Sequence, residues 1–319
     1  MKKDYRHELA YRDDWKKLTG PLPVKMTNDY LFRALLQADE KTLKAMVASV
    51  LHIRVQDVTE IVVTNPIELG ETVDSKELHL DVSVILNEKD KINIEMQASH
   101  YEGWSDRTLI YLCRSFDSLN HGQDYREVQR AIQVSFTDFT LFPDAPEFFS
   151  IYMLVNKNKP AQIYSDKLSI INIDLTNIGL AAEEDREYGV DRWAKIFKAD
   201  SWEDLKMLAT EDKTTEQAVS SIWQLTEDRF IREEMLRRED NEREYRYLLE
   251  QAEKAKKVDV LEKTVFEQSS KISEQERRIA ELEALLAEKD MDTPVDGHNI
   301  EMILPGYLRF PCYTVHEKS

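Results

Sequence analysis

Cysteine is almost missing from this 319-residue chain, which holds only Cys113 and Cys312. Two thiols cannot staple a disulfide-dependent fold and supply no zinc-ligand spacing, so both are expected to be reduced. Long apolar runs are missing as well. No stretch approaches the roughly 20 residues that cross a bilayer, and the N-terminus lacks the apolar core of a secretory signal, which predicts a cytoplasmic protein with no membrane partner. No Walker-type phosphate loop, nucleophile elbow, zinc-protease motif or dinucleotide fingerprint is present, which excludes the classes those motifs define. Positive charge is scarce: 43 basic residues stand against 61 acidic ones, for a net charge of -18. Nonspecific nucleic-acid binding depends on Lys and Arg neutralising phosphates, so a broad basic face is excluded and any DNA contact is expected to be weak and salt-sensitive. The excess acid is uneven, at -8 over residues 24–178 and -12 over residues 179–319, while residues 1–23 carry +2.

What is present is ample material for one sizeable core, with 42% hydrophobic residues, and a pair of short strand patterns that place acids among apolar residues. In the first, Leu80, Val82, Val84 and Leu86 alternate with Asp81, Ser83 and Ile85. In the second, Ile92, Ile94 and Met96 alternate with Asn93, Glu95 and Gln97. Joined through Asn87-Glu88-Lys89-Asp90-Lys91 as a hairpin, their apolar faces coincide only if facing residues have matching parity, which predicts an odd loop or a bulge. The expected register pairs Leu86 with Ile92, Val84 with Ile94 and Val82 with Met96. Asp81 then falls opposite Gln97 and Ser83 opposite Glu95, so two carboxylates and an amide converge.

Such a cluster suits a hard divalent cation such as Mg²⁺, which takes carboxylate and water oxygens and keeps several waters. A metal held there would lower the pKa of a bound water, orient it and neutralise charge on a phosphodiester's leaving oxygen. The plain alternative is a solvated outer sheet face, on which polar residues are ordinary; the spacing alone does not choose between them.

A wider set of residues carries a resemblance. Asn28-Asp29-Tyr30-Leu31-Phe32 opens a helix, Lys76 precedes the Leu80-Asp81-Val82 strand, and Ile94-Glu95-Met96-Gln97 follows. Arg107, Tyr111-Leu112-Cys113-Arg114, Gly122-Gln123-Asp124-Tyr125 and a strand from Arg130 to Phe139 continue the series. In order and spacing, residues 27–142 resemble the PD-(D/E)XK nuclease superfamily, and within it the recombination-promoting nuclease and transposase group. The resemblance implies an α/β fold with a restriction-endonuclease-like mixed sheet flanked by helices. It also implies a Mg²⁺-dependent DNA endonuclease, with Mn²⁺ as a substitute. Asp81 and Glu95 would hold the metal. Gln97 stands where the superfamily often has lysine, and it resembles the usual form in this group; a neutral amide can position water but supplies no charge. Lys76, more than Lys91, is the candidate to supply that charge.

Asp29 lies in the first turn of an expected helix from Asn28 to Val50, where a carboxylate also favours the helix end electrostatically. The resemblance assigns it to the metal site. Over Ser105 to Leu119, Leu109, Leu112, Cys113, Phe116 and Leu119 are expected to form a core stripe, with Arg107, Tyr111, Arg114 and Ser118 on another face. That face either meets phosphate, for which Arg offers a planar fork of donors, or pairs with Asp106 or Asp117. The resemblance points to support of the active site. His79, His100 and His121 are given no role.

Five segments are therefore expected: an N-terminal arm (1–23), a nuclease-like domain (24–178), a helical region (179–245), a coiled coil (246–290) and a tail without an assigned role (291–319). In the fourth, Val258, Val265, Ile272, Ile279 and Leu286 recur every seven residues, with Leu261 and Leu282 three later. This predicts a homodimer or higher homo-oligomer, although Gln268 and Gln275 weaken the seam and a single solvated helix is the alternative. The functional expectation is a DNA endonuclease of little sequence preference, linked to recombination or mobile elements. Its rival is a catalytically silent, oligomeric scaffold that keeps the nuclease fold. Whether RNA is cut, and whether strands are joined as well as cleaved, stays open.

Overall fold

The computed structural model describes residues 9–65, 82–100, 102–117, 119 and 122–291. They fold into two compact units, Met1–Arg246 and Tyr247–Ser319. In the first, α1 (Asp29–Ala38) and α2 (Glu40–Val50) precede β1 (Ile61–Val63), β2 (Val82–Leu86) and β3 (Asp90–Gln97). Next come α3 (Trp104–Phe116), β4 (Arg130–Thr137), β5 (Phe149–Asn156) and β6 (Lys159–Asp174). Four helices follow, α4 (Glu183–Glu187), α5 (Val190–Lys198), α6 (Trp202–Ala209) and α7 (Lys213–Glu227), and then a long helix, α8 (Arg229–Met291).

The strands form one mixed sheet in the order β1-β2-β3-β4-β6-β5. β1, β2 and β3 are antiparallel neighbours, β3, β4 and β6 run parallel, and β5 returns antiparallel to β6. The α/β architecture expected from the resemblance is present.

Period-two alternation gives the sheet an apolar face, on which Val84, Ile94 and Phe136 are buried. Phe32 of α1, Phe136 of β4 and Phe197 of α5 meet edge to face, with ring centroids 5.1 to 5.8 Å apart, a geometry worth about 0.5–1.5 kcal/mol per pair beyond the area buried. Trp193, Ile196 and Phe197 of α5 and Trp202, Leu205 and Leu208 of α6 are all buried. Of the expected arm, residues 9–16 lie against α7 and residues 20–22 against the start of α6: Trp15 is 2% exposed, Tyr11 donates to Glu216 at 2.8 Å, the Arg12 backbone N–H donates to Ser220 Oγ at 2.9 Å, and Pro21 bridges to Ser201.

The expected hairpin parity holds but the register is two residues tighter. Val82 pairs with Ile94, Ser83 with Asn93, Val84 with Ile92 and Leu86 with Asp90. A two-residue slip keeps every side chain on its face, so the apolar pattern could not detect it. The turn decides. It is three residues long, Asn87 and Glu88 adopt positive φ (50° and 58°), and the Asn87 carboxamide accepts the backbone N–H of Thr59 and of Glu60.

The expected helix from Asn28 to Val50 breaks at Asp39, which leaves helical backbone geometry (φ -130°, ψ 92°) and caps α2 by accepting the Thr42 N–H at 3.0 Å. Hydroxyls of Thr42 and Ser221 also donate to this buried carboxylate. The expected stripe on α3 is corrected too. Trp104, Thr108 and Leu112 are its buried residues, whereas Leu109 and Cys113 are exposed. The sheet face beneath α3 is polar, so the helix offers it a mixed stripe and not a leucine one.

Candidate active site

On β3 the alternation that buries Ile92, Ile94 and Met96 on one face sends Asn93, Glu95 and Gln97 to the other. β4 runs parallel in step, so Asn93 pairs with Gln133, Glu95 with Ser135 and Gln97 with Thr137. The result is a polar floor inside the protein. Ser83 donates from Oγ to Asn93 Oδ1 at 3.0 Å, and Asn93 Nδ2 donates to Gln133 Oε1 at 2.9 Å, a chain across three strands. The chain ends at Gln133, whose buried Nε2 has no hydrogen-bond partner among the described residues, nor has the neighbouring Ser135 Oγ, so the floor keeps polar groups to offer a ligand or water.

Glu95 is 4% exposed. An ionised carboxylate so far from water needs a partner, and α3 supplies one: Arg107 Nη2 donates to Glu95 Oε1 at 2.7 Å. The guanidinium lies between two aromatic rings, 5.2 Å from Tyr111 and 5.8 Å from Trp104. Residues three and four apart on a helix are neighbours, which is why Trp104, Arg107 and Tyr111 act together. The alternative partners weighed for Arg107, Asp106 and Asp117, are not the ones that hold it in this geometry.

Beside this pair is an open cavity of about 530 Å³, lined by Asn65, Ser83, Lys91, Asn93, Tyr111 and Arg114. Asn65 is fixed there by accepting the Ser83 backbone N–H at 2.8 Å. Two cationic side chains, Lys91 and Arg114, therefore share a wall with the polar chain. Phosphate oxygens are the ligand such a wall recognises best.

Of the expected site residues, Glu95, Arg107 and Tyr111 are brought into direct contact, and Arg114 lines the adjoining cavity. Gln97 follows Glu95 on the same face, with its Nε2 donating to the Ser99 carbonyl at 2.8 Å. Asp29 stands in the first turn of α1, capped by Asn28, and α1 packs on the apolar side of the sheet. Asp81 and Lys76 lie outside the described residues, as do His79 and His121; Val82, next after Asp81 in sequence, pairs with Ile94, which precedes Glu95. Among the described residues no three His, Cys, Asp or Glu side chains cluster as metal ligands. The donors that are described, a carboxylate and an amide on neighbouring positions of one strand face, are hard oxygen ligands that fit Mg²⁺ or Mn²⁺.

Sequence reading missed the Ser83–Asn93–Gln133 chain and the aromatic seat of Arg107. The first had a signal, since Gln133, Ser135 and Thr137 alternate with Ile132, Val134 and Phe136 just as β3 does.

A family model described as PD-(D/E)XK nuclease family transposase matches residues 26–252. The chain belongs to this family. No curated protein and no solved structure matches it. As a PD-(D/E)XK family member it is a nuclease-type hydrolase of the transposase branch, a class that generally uses divalent metal ions and acts on DNA. The matched stretch takes in the whole sheet, α1 to α7 and the start of α8. No helix among the described residues is long and apolar enough to cross a membrane.

Proposed function

We propose that this protein is a metal-dependent endodeoxyribonuclease that hydrolyses phosphodiester bonds with little sequence preference, using Mg²⁺ or, as a substitute, Mn²⁺. The observation that carries the reading is the buried Glu95 carboxylate, braced by Arg107, whose neighbour Tyr111 lines a cavity that also holds Arg114 and Lys91. Glu95 and Asp81 hold the metal; Asp29, on the helix that packs against the opposite, apolar face, is not assigned to it. When bound, the metal activates water and neutralises charge on the leaving oxygen. Arg107 holds the Glu95 carboxylate in one orientation through its 2.7 Å contact. Gln97 orients the attacking water through its amide, Tyr111 keeps the Arg107 guanidinium in place, and Arg114 binds phosphate, with Lys76 as a further source of positive charge. Two copies joined through the seam of α8 would present two such sites to one duplex; Val258, Val265, Ile272 and Ile279 are all exposed along that helix.

A silent scaffold is the second reading, favoured by Gln97 where a lysine would carry charge. Supercoiled plasmid separates the two. Nicking or linearisation that requires Mg²⁺ or Mn²⁺, stops with chelator, and disappears in folded Asp81→Ala and Glu95→Ala variants supports the nuclease. Plasmid left intact by wild type across both metals and low salt makes the scaffold the correct reading.

A further inference from the structure

β6 is twice as long as β5, and it pairs with β4 only from Leu168 onward. Its first half and the end of β5, Leu154–Asn156, therefore form a bulged two-stranded arm that leaves the sheet, reaching roughly 15 Å from Met153 to its turn at about 3.3 Å per residue. Every residue from 151 to 164 is exposed. Yet the run Ile151-Tyr152-Met153-Leu154-Val155 is continuously apolar, the pattern of a strand covered on both faces. Tyr164 across from it is 86% exposed and Ile163 49%. β5 is also the edge of the sheet, and edge strands are normally blunted with charge to prevent pairing. Here the charges, Lys157 and Lys159, stand at the tip.

We infer that the β5–β6 arm is a self-association surface, packing antiparallel against the same arm of a second copy about a two-fold axis. From the fractional exposures, the seven apolar residues present roughly 700–800 Å² summed over the two faces of the ribbon, of which one partner arm covers about half, a small interface beside the ~800 Å² per partner of a standard one. Charge chooses the direction. An antiparallel arrangement carries each lysine tip back toward the base of the other arm, where Asp144 and Glu147 are exposed; a parallel one would set tip against tip, Lys157 and Lys159 against their own copies. Regular pairing with β6 over Phe149–Met153, where β6 is still part of the sheet, leaves an intact edge at the root of the arm for the partner strand, while the arm's own ladder from Met153 to Asn156 is irregular. Duplex DNA fits less well, because five consecutive apolar residues offer phosphates nothing.

The test uses the full chain carrying Val265→Lys and Ile272→Lys, which disable the α8 seam, with mass read by sedimentation and folding by circular dichroism. The inference expects a dimer in this background. Adding Leu154→Lys and Ile163→Lys should give a folded monomer, weakening association by roughly 100-fold or more. Lys157→Glu with Lys159→Glu should weaken the dimer, and Asp144→Lys with Glu147→Lys in the same chain should restore it. A monomer before the arm is altered, or a dimer unchanged after it is altered, overturns the inference. So does an arm variant that loses duplex DNA binding without any change in mass, which would make DNA the occupant.

Discussion

Arg107 reaches from α3 to the buried face of β3 and donates to Glu95 across 2.7 Å, so the helix that crosses between β3 and β4 also completes the polar floor they share. The pair ties the fold to the chemistry. A carboxylate at this depth is costly to leave alone, and the partner that stabilises it also holds its oxygens in one orientation.

Removing the guanidinium should therefore cost stability. Arg107→Ala is expected to lose about 2–3 kcal/mol, below the full penalty for breaking a buried pair because Arg107 is itself part-exposed. Urea denaturation measures the loss. Added Mg²⁺ or Mn²⁺ should recover more stability in Arg107→Ala than in wild type, since an ion bound to the native state stabilises it by mass action. A variant as stable as wild type without metal would mean that Glu95 is satisfied some other way.

Gln97 should matter to rate more than to folding. Gln97→Ala is expected to lower kcat by about 100-fold, the scale for losing one oriented hydrogen-bonding group at a reacting centre, while its thermal midpoint stays within a few degrees of wild type. Single-turnover plasmid cleavage separates this from a binding defect.

Arg114 and the acidic surface predict a small electrostatic footprint. Log affinity for short duplex DNA should fall shallowly with log salt, and Arg114→Ala should reduce that slope by about one unit if it neutralises one phosphate. Fluorescence anisotropy at several salt concentrations reads the slope directly, and an unchanged slope removes Arg114 from the interface.

Acid should weaken the helical layer behind the sheet. Asp212 caps α7, accepting the Thr214 and Thr215 N–H groups at 2.7 and 2.9 Å and pairing with Arg192. Burial raises its proton affinity, but the Thr215 N–H and hydroxyl, the Arg192 charge and the Thr214 N–H outweigh that and hold the carboxyl below its ordinary value. The unfolded chain then binds this proton more readily than the folded one. The stabilisation is full above the ordinary carboxylate pKa near ~4 and is lost as pH falls through the lowered one. Asp212→Ala should cost about 1–2 kcal/mol at neutral pH, and the gap from wild type should close in strong acid.

Local alternation made much of this fold legible. Ile92, Ile94 and Met96 told their face from Asn93, Glu95 and Gln97, and the parity of β2 against β3 followed. Register did not, because a slip of two residues moves no side chain to the other face; the Asn87 turn, anchored on Thr59 and Glu60, sets it. The break at Asp39 was hidden by apolar spacing that continues on both sides, although an Asp three residues before Thr42 is a capping signal. Arg107 was visible as a candidate, but its partner was not, since Glu95 lies twelve residues away and reaches it only once α3 folds back over β3.

Cleavage of supercoiled plasmid under single-turnover conditions, with wild type beside Glu95→Gln, tests the central claim most directly. The substitution keeps shape and hydrogen bonding while removing the charge. Metal-dependent nicking by wild type, reduced at least 1,000-fold in a folded Glu95→Gln, a barrier difference of about 4 kcal/mol, is the expected result. Equal cleavage by the two proteins would place the chemistry elsewhere.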